Sequence, residues 1–62
     1  MRKENNMLKI TFYHTLYKED VTMICGDIQF HYTDHAYVTF ASMGSGYLVD
    51  AKHIKNITSI ED

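Results

Sequence analysis

The chain has 62 residues, enough for one small domain with a limited core. Its six Lys and Arg against eight Asp and Glu give a net charge of −2, without the basic stripe that nucleic-acid binders use, so direct nucleic-acid binding is not expected. Cys25 is the only cysteine, no signal-peptide pattern is visible and every apolar run is too short to span a bilayer, so we expect a cytoplasmic protein without disulfides or membrane spans.

The first half of the chain predicts two strands. Residues 1–6 are polar and are expected to form a disordered tail before a single β domain at 7–62. Apolar and polar residues alternate over 8–17, which predicts a half-buried strand, and 18–20 form a turn candidate. Residues 21–32 predict one long strand bent at Gly26, because an isolated glycine in a strand pattern commonly marks a bulge or bend.

The second half predicts three shorter strands. Residues 36–42 alternate again, 43–46 form a glycine-containing turn, and 47–50 make a short strand. In the tail, isoleucines at 54, 57 and 60 have a helical spacing, but the segment is short and rich in Ile and Thr. We therefore predict a 3₁₀ turn at 51–54 and a strand at 55–61, with a helix of two or three turns as the alternative.

Pairing of apolar residues predicts the register of the two long hairpins. Placing Tyr32 opposite Ala36 sets Phe30 against Val38, so inward residues meet inward residues. The same procedure applied to the first hairpin sets residue 17 opposite residue 21. That register places Tyr13, Tyr17, Val21 and Met23 on the face opposite the core, where they either form an exposed apolar and aromatic patch or are covered by strong coiling of the sheet.

The order of these elements is similar to that of the small SH3-like and Sm-like barrels. The resemblance covers residues 7–61 and includes the second strand bent at Gly26 and the 3₁₀ turn before the last strand. It implies an all-β fold: a five-stranded antiparallel meander forming an SH3-like or partly open barrel. This fold hosts RNA binding, peptide binding and scaffolding, so it implies no single function.

Histidines supply the candidate metal site. His31 and His35, with Asp34 beside them, have a spacing compatible with two zinc ligands, and Cys25 and His53 are the other conceivable ligands. Zinc would add to the stability of a small domain, either within one chain or shared between two copies. No cofactor is required by any motif.

Two further residues receive structural interpretations. His14 is the polar member of the first strand's apolar face, and we interpret it as a partly buried, hydrogen-bonded histidine rather than a ligand. Cys25 is interpreted as a small core residue rather than a nucleophile, because a meander of this size has little room for a pocket that excludes water. An enzyme is therefore not expected.

The overall profile is short, mildly acidic, free of motifs and rich in Tyr and Met, which are enriched at protein interfaces. This profile resembles the small phage-borne anti-defence proteins, including anti-CRISPR proteins. The resemblance implies an inhibitor that covers a surface of a larger host protein such as a CRISPR nuclease. The expected anchors are Tyr13, Tyr17, Met23 and Tyr37, with Glu19, Asp20 and Asp34 at the rim.

Two alternatives remain open at this point. A nucleic-acid-binding SH3-like or Sm-like module would use the tyrosines as stacking platforms, although the net charge argues against it. A homo-oligomeric structural protein, such as a homodimer, would be supported by zinc at His31 and His35.

Overall fold

The computed structural model describes residues 7–60, so the predicted tail at 1–6 lies outside the described part of the chain. Six strands follow one another in this part, and a 3₁₀ turn at Ala51–His53 precedes the last. The strands are β1 (Met7–His14), β2 (Glu19–Cys25), β3 (Ile28–Tyr32), β4 (Ala36–Ser42), β5 (Ser45–Asp50) and β6 (Ile54–Ile60).

The strands form two antiparallel three-stranded sheets. The first has the order β2-β1-β6 and the second the order β3-β4-β5. Within residues 7–60 the sheets do not close into a barrel through strand pairing. The predicted all-β, partly open arrangement with a 3₁₀ turn before the last strand is therefore confirmed.

The bend predicted at Gly26 divides the long second strand into two elements, which is why there are six strands rather than five. Cys25 ends β2 facing the core of the first sheet, and Ile28 begins β3 packed against the same core from the second sheet. Because side chains alternate along a strand, inward residues three positions apart require an irregular connection. Gly26 and Asp27 supply it.

The second hairpin and the C-terminal segment form as predicted. Tyr32 lies opposite Ala36 and Phe30 opposite Val38. The chain reverses between β4 and β5 through Met43 and Gly44 alone, at φ values of 54° and 83°. Two central residues with positive φ are what a two-residue hairpin turn requires. The strand at Ile54–Ile60 replaces the alternative of a C-terminal helix.

The predicted register of the first hairpin is wrong. Phe12 lies opposite Val21 and Ile10 opposite Met23, which is an odd-numbered shift from the expected pairing. The loop explains the shift: the backbone N–H of Lys18 donates to the carbonyl of His14 at 2.7 Å, and Lys18 has a φ of 59°. A tight four-residue loop therefore starts β2 at Glu19.

This shift turns β2 over. Val21 and Met23 pack against the core instead of lying on the outer face, and Ile24 becomes the exposed member of the strand. A register change by an odd number of residues moves every side chain to the other face. The apolar patch predicted from Val21 and Met23 is therefore absent from this hairpin.

The core lies between the two sheets. Phe12 of the first sheet packs edge-to-face on Phe40 of the second, with ring centroids 6.0 Å apart. The buried Ser42 also joins the sheets, because its hydroxyl donates to the carbonyl of Ile24 at 2.7 Å. Six residues form the buried cluster: Ile10, Phe12, Cys25, Val38, Phe40 and Val49.

Candidate functional site

The first part of the candidate site is the loop that joins β1 and β2. The imidazole of His14 stacks on the ring of Tyr17, with centroids 4.3 Å apart and planes at 19°. The backbone N–H of Tyr17 donates to His14 Nδ1 at 3.4 Å. The exposed Tyr17 is thus held in a defined position before it meets any partner.

The second part lies on the outer face of the other sheet. Tyr37 of β4 is opposite His31 of β3, and their rings stack with centroids 4.6 Å apart and planes at 8°. His31 Nε2 shares a hydrogen bond of 3.0 Å with the hydroxyl of Thr39. The ring of His35, from the loop before β4, lies 5.8 Å from Tyr37. Tyr37 is therefore in contact with both histidines of the predicted zinc site.

Residues near the 3₁₀ turn connect these two parts. His53 lies 5.7 Å from the ring of Tyr13, near the end of β1. Asp50 is opposite Tyr37 in the sheet, and its Oδ1 lies 4.0 Å from His35 Nε2. Asp50 thus borders both the Tyr37 group and the turn that carries His53.

A cleft of about 270 Å³ opens between the end of β1 and the end of β5. Its walls include Tyr13, His14, Asp50 and His53. All four histidines of the chain have a tyrosine ring with its centroid 5.8 Å away or closer. We call this connected region the histidine–tyrosine surface, and it consists of Tyr13, His14, Tyr17, His31, His35, Tyr37, Asp50 and His53.

Carboxylates lie at the margin of the histidine–tyrosine surface. Glu19 is opposite His14 and Asp20 is opposite Tyr13, and both side chains are exposed. Asp34 is exposed in the loop immediately before His35. Solvated carboxylates around ordered aromatic rings favour a partner that presents Lys or Arg side chains.

The structure places the predicted tyrosines in two groups, Tyr13 and Tyr17 near the end of β1 and Tyr37 on the outer face of the second sheet, and the cleft beside Asp50 lies between the groups. Tyr13, Tyr17 and Tyr37 belong to the histidine–tyrosine surface, and the three predicted acidic residues lie at its margin. Met23 does not belong to it, because the corrected register turns its side chain toward the core.

The sequence did not predict five members of the surface as docking residues: His14, His31, His35, Asp50 and His53. The predicted 3₁₀ turn at 51–54 located His53 along the chain. Its contact with Tyr13, however, depends on how the turn packs on β1, a long-range feature that alternation does not encode.

The zinc site stays a prediction. Within residues 7–60 no group of three or more His, Cys, Asp or Glu side chains is arranged to hold a metal ion. His31 and His35 would therefore need ligands from a second copy of the chain to complete a tetrahedral set.

Cys25 occupies the core position that the sequence predicted. Its side chain is 1% exposed, and burial raises the pKa of the thiol above its usual value, with a further contribution from the negative charge of Asp27. A raised pKa disfavours the thiolate, which is the reactive form.

We expect Cys25 to react with a thiol reagent roughly a hundredfold more slowly in the folded protein than in urea. The folded protein must open to expose the thiol, and an opening free energy of about 3 kcal/mol gives this ratio of rates. The folded thiol keeps its proton at pH values where the unfolded thiol has lost it. The free energy of unfolding should therefore fall as pH rises above the unfolded pKa. Labelling with a chromogenic disulfide at pH 8 measures the first effect, and urea titrations from pH 7 to 10 measure the second. Equal labelling rates in both states would contradict the buried position.

Comparison of the chain with protein-family models, with curated proteins and with solved structures found no match. Within residues 7–60, no helix has the length and apolar character needed to cross a membrane. The function is therefore inferred from the histidine–tyrosine surface.

Proposed function

We propose that this chain is a small protein-binding module that docks through its histidine–tyrosine surface on a basic region of a larger protein and inhibits it by occlusion. The observation that carries the proposal is the ring contact that each of Tyr13, Tyr17 and Tyr37 makes with a histidine. Side chains already ordered in the free protein lose less entropy on binding. Tyrosine is also among the residues that contribute most to interface energies.

The charge around the surface supports a protein target over a nucleic acid. Stacking of bases on tyrosine would bring phosphates near Glu19, Asp20 and Asp50, and like charges repel. A protein surface rich in Lys and Arg gains from the same carboxylates.

The profile resemblance to phage-borne anti-defence proteins names one class of target. CRISPR nucleases hold their guide and target strands in a positively charged channel. An acidic module with ordered tyrosines at its centre is suited to cover such a channel. We therefore propose a host defence protein of this kind as the partner.

Affinity capture with matched tyrosine variants tests the proposal. Wild-type protein, the double variant Tyr17→Ala with Tyr37→Ala, and the control Tyr32→Ala are immobilised and exposed to bacterial lysates containing a CRISPR nuclease. Tyr32 is an exposed tyrosine outside the histidine–tyrosine surface, so it controls for loss of any exposed ring. The dissociation constant is then measured with the purified partner.

We expect the double variant to bind at least about 30-fold more weakly, because the loss of a single interface residue that contributes about 2 kcal/mol has this effect. Tyr32→Ala should bind like wild type. Binding should also weaken as the salt concentration rises. Capture of no partner, or equal binding by the double variant, would contradict the proposal. A gel shift of single-stranded RNA at low salt that Tyr17→Ala abolishes would favour the nucleic-acid-binding alternative instead.

A further inference from the structure

The four edge strands differ in how their sequences discourage pairing with another chain. In the described residues β2, β3, β5 and β6 each pair on one side only. β2 carries Glu19 and Asp20, β5 carries Asp50 and β6 carries Lys55. β3, with the sequence IQFHY, contains no Asp, Glu, Lys, Arg or Pro. Charged residues and proline are the usual means of blocking an edge, so β3 is the edge left open to strand addition.

The same strand exposes apolar rings. Phe30 is 53% and Tyr32 is 77% exposed, and their rings stack with centroids 6.5 Å apart and planes at 9°. Both lie on the face that carries the core residue Val38, because Phe30 is opposite Val38 in the sheet. The core side of the second sheet therefore continues, uncovered, to its β3 edge.

We propose that β3 pairs antiparallel with β3 of a second copy, about a two-fold axis that passes beside Phe30. Phe30 then lies opposite the partner's Phe30, and Ile28 lies opposite the partner's Tyr32. Gln29 lies opposite the partner's His31 on the other face. The two three-stranded sheets join into one continuous sheet of six strands with the order β5-β4-β3-β3-β4-β5.

The sequence of β3 is self-complementary in this register. Every apolar residue meets an apolar residue on one face, and the amide of Gln29 meets an imidazole that can hydrogen-bond with it. A shift by one residue would bring the aromatic face of one copy onto the polar face of the other. Two-fold pairing uses both open edges at once, so assembly stops at the dimer.

A five-residue strand gives a contact at the small end of interface sizes, so we expect a dissociation constant in the micromolar range. The dimer does not depend on the proposed function. Phe30 and Tyr32 lie outside the histidine–tyrosine surface, whose only member in β3 is His31, and loss of dimerisation leaves partner capture by a monomer measurable.

Sedimentation over a range of protein concentrations tests the pairing, with Phe30→Lys and the matched control Leu48→Lys. Leu48 is an exposed apolar residue on β5, the opposite edge of the same sheet. Wild type and Leu48→Lys should pass from the mass of one chain to that of two. Phe30→Lys should dimerise at least tenfold more weakly, because like charges directly opposite across a pair of strands repel.

Cysteine crosslinking gives a second measurement in case Phe30→Lys fails to fold. Residues directly opposite on neighbouring strands lie about 5 Å apart, close to disulfide range, so Phe30→Cys should form a crosslinked dimer under copper-phenanthroline oxidation in air. Leu48→Cys should crosslink at least tenfold more slowly, and wild type should stay uncrosslinked because its Cys25 is buried.

Each contrary outcome overturns the proposal. Wild type that remains monomeric up to millimolar concentration, equal dimerisation of both lysine variants, equal crosslinking of both cysteine variants, or growth beyond the dimer would each exclude two-fold pairing at β3.

Discussion

Replacing Ile10 with alanine is expected to lower the free energy of unfolding by about 3 kcal/mol, within the range measured for buried isoleucines. Ile10 is 0% exposed at the middle of β1, the central strand of its sheet. Met23 lies opposite on one side and Ile57 on the other. The truncated side chain leaves a cavity that both edge strands border.

This loss is large for so short a chain. At roughly 0.05–0.15 kcal/mol per residue, the whole domain has a free energy of unfolding of about 3–9 kcal/mol. Ile10→Ala therefore removes a third or more of the stability and should lower Tm by roughly 12–24 °C.

Urea and thermal unfolding followed by circular dichroism measure the effect. Ile10→Val should cost about 1 kcal/mol because it removes one methyl group. Leu16→Ala, at an exposed position in the first loop, should change stability by less than about 0.5 kcal/mol. A similar loss for Ile10→Ala and Leu16→Ala would contradict the position assigned to Ile10 in the core.

Local patterns predicted most of the strands but extended the first one to residue 17, whereas the structure ends β1 at His14. Alternation located β1 and β4, and the isolated Gly26 located the bend at which the structure separates β2 from β3. The C-terminal strand was predicted correctly despite helically spaced isoleucines. The reason is that Ile and Thr fit a pleated, half-buried surface better than a short helix.

The first hairpin shows where local patterns stop. Its register depends on Lys18 adopting a positive φ, and lysine gives no turn signal of the kind that glycine or asparagine gives. The sequence does show apolar residues at odd-numbered positions 21, 23 and 25 of β2, the face that the structure turns toward the core. A single strand over 21–32 would instead turn the even-numbered apolar residues on both sides of Gly26 toward the core, which gives the wrong pairing for β2.

The candidate site was predictable only in part, because alternation along one strand gives the outward residues but not their contacts with distant segments. Outward-facing Tyr13 and Tyr37 follow from alternation within single strands. The ring contacts that join them to His53 and His35 depend on the packing of a turn against one sheet and of a loop against the other. Such contacts between distant segments have no periodic signature.

A pair of glutamate substitutions distinguishes the observed register from the one predicted. Met23→Glu places a carboxylate on the core side of β2, where Met23 packs against the buried cluster. Burying a charge without a partner is strongly unfavourable, so we expect a loss of about 3 kcal/mol or more. Ile24→Glu places the same group on the 42% exposed outer face, opposite Lys9, and should change stability by less than about 0.5 kcal/mol.

Urea unfolding of the two variants at pH 7 decides between the registers, since the predicted pairing reverses the expected order of their stabilities. The same experiment bears on function. If Met23→Glu is the destabilising substitution, Met23 supports the core rather than the partner contact, and docking depends on the tyrosines. A stable Met23→Glu protein with an unstable Ile24→Glu protein would instead restore Met23 to the outer face and return it to the docking surface beside Tyr13.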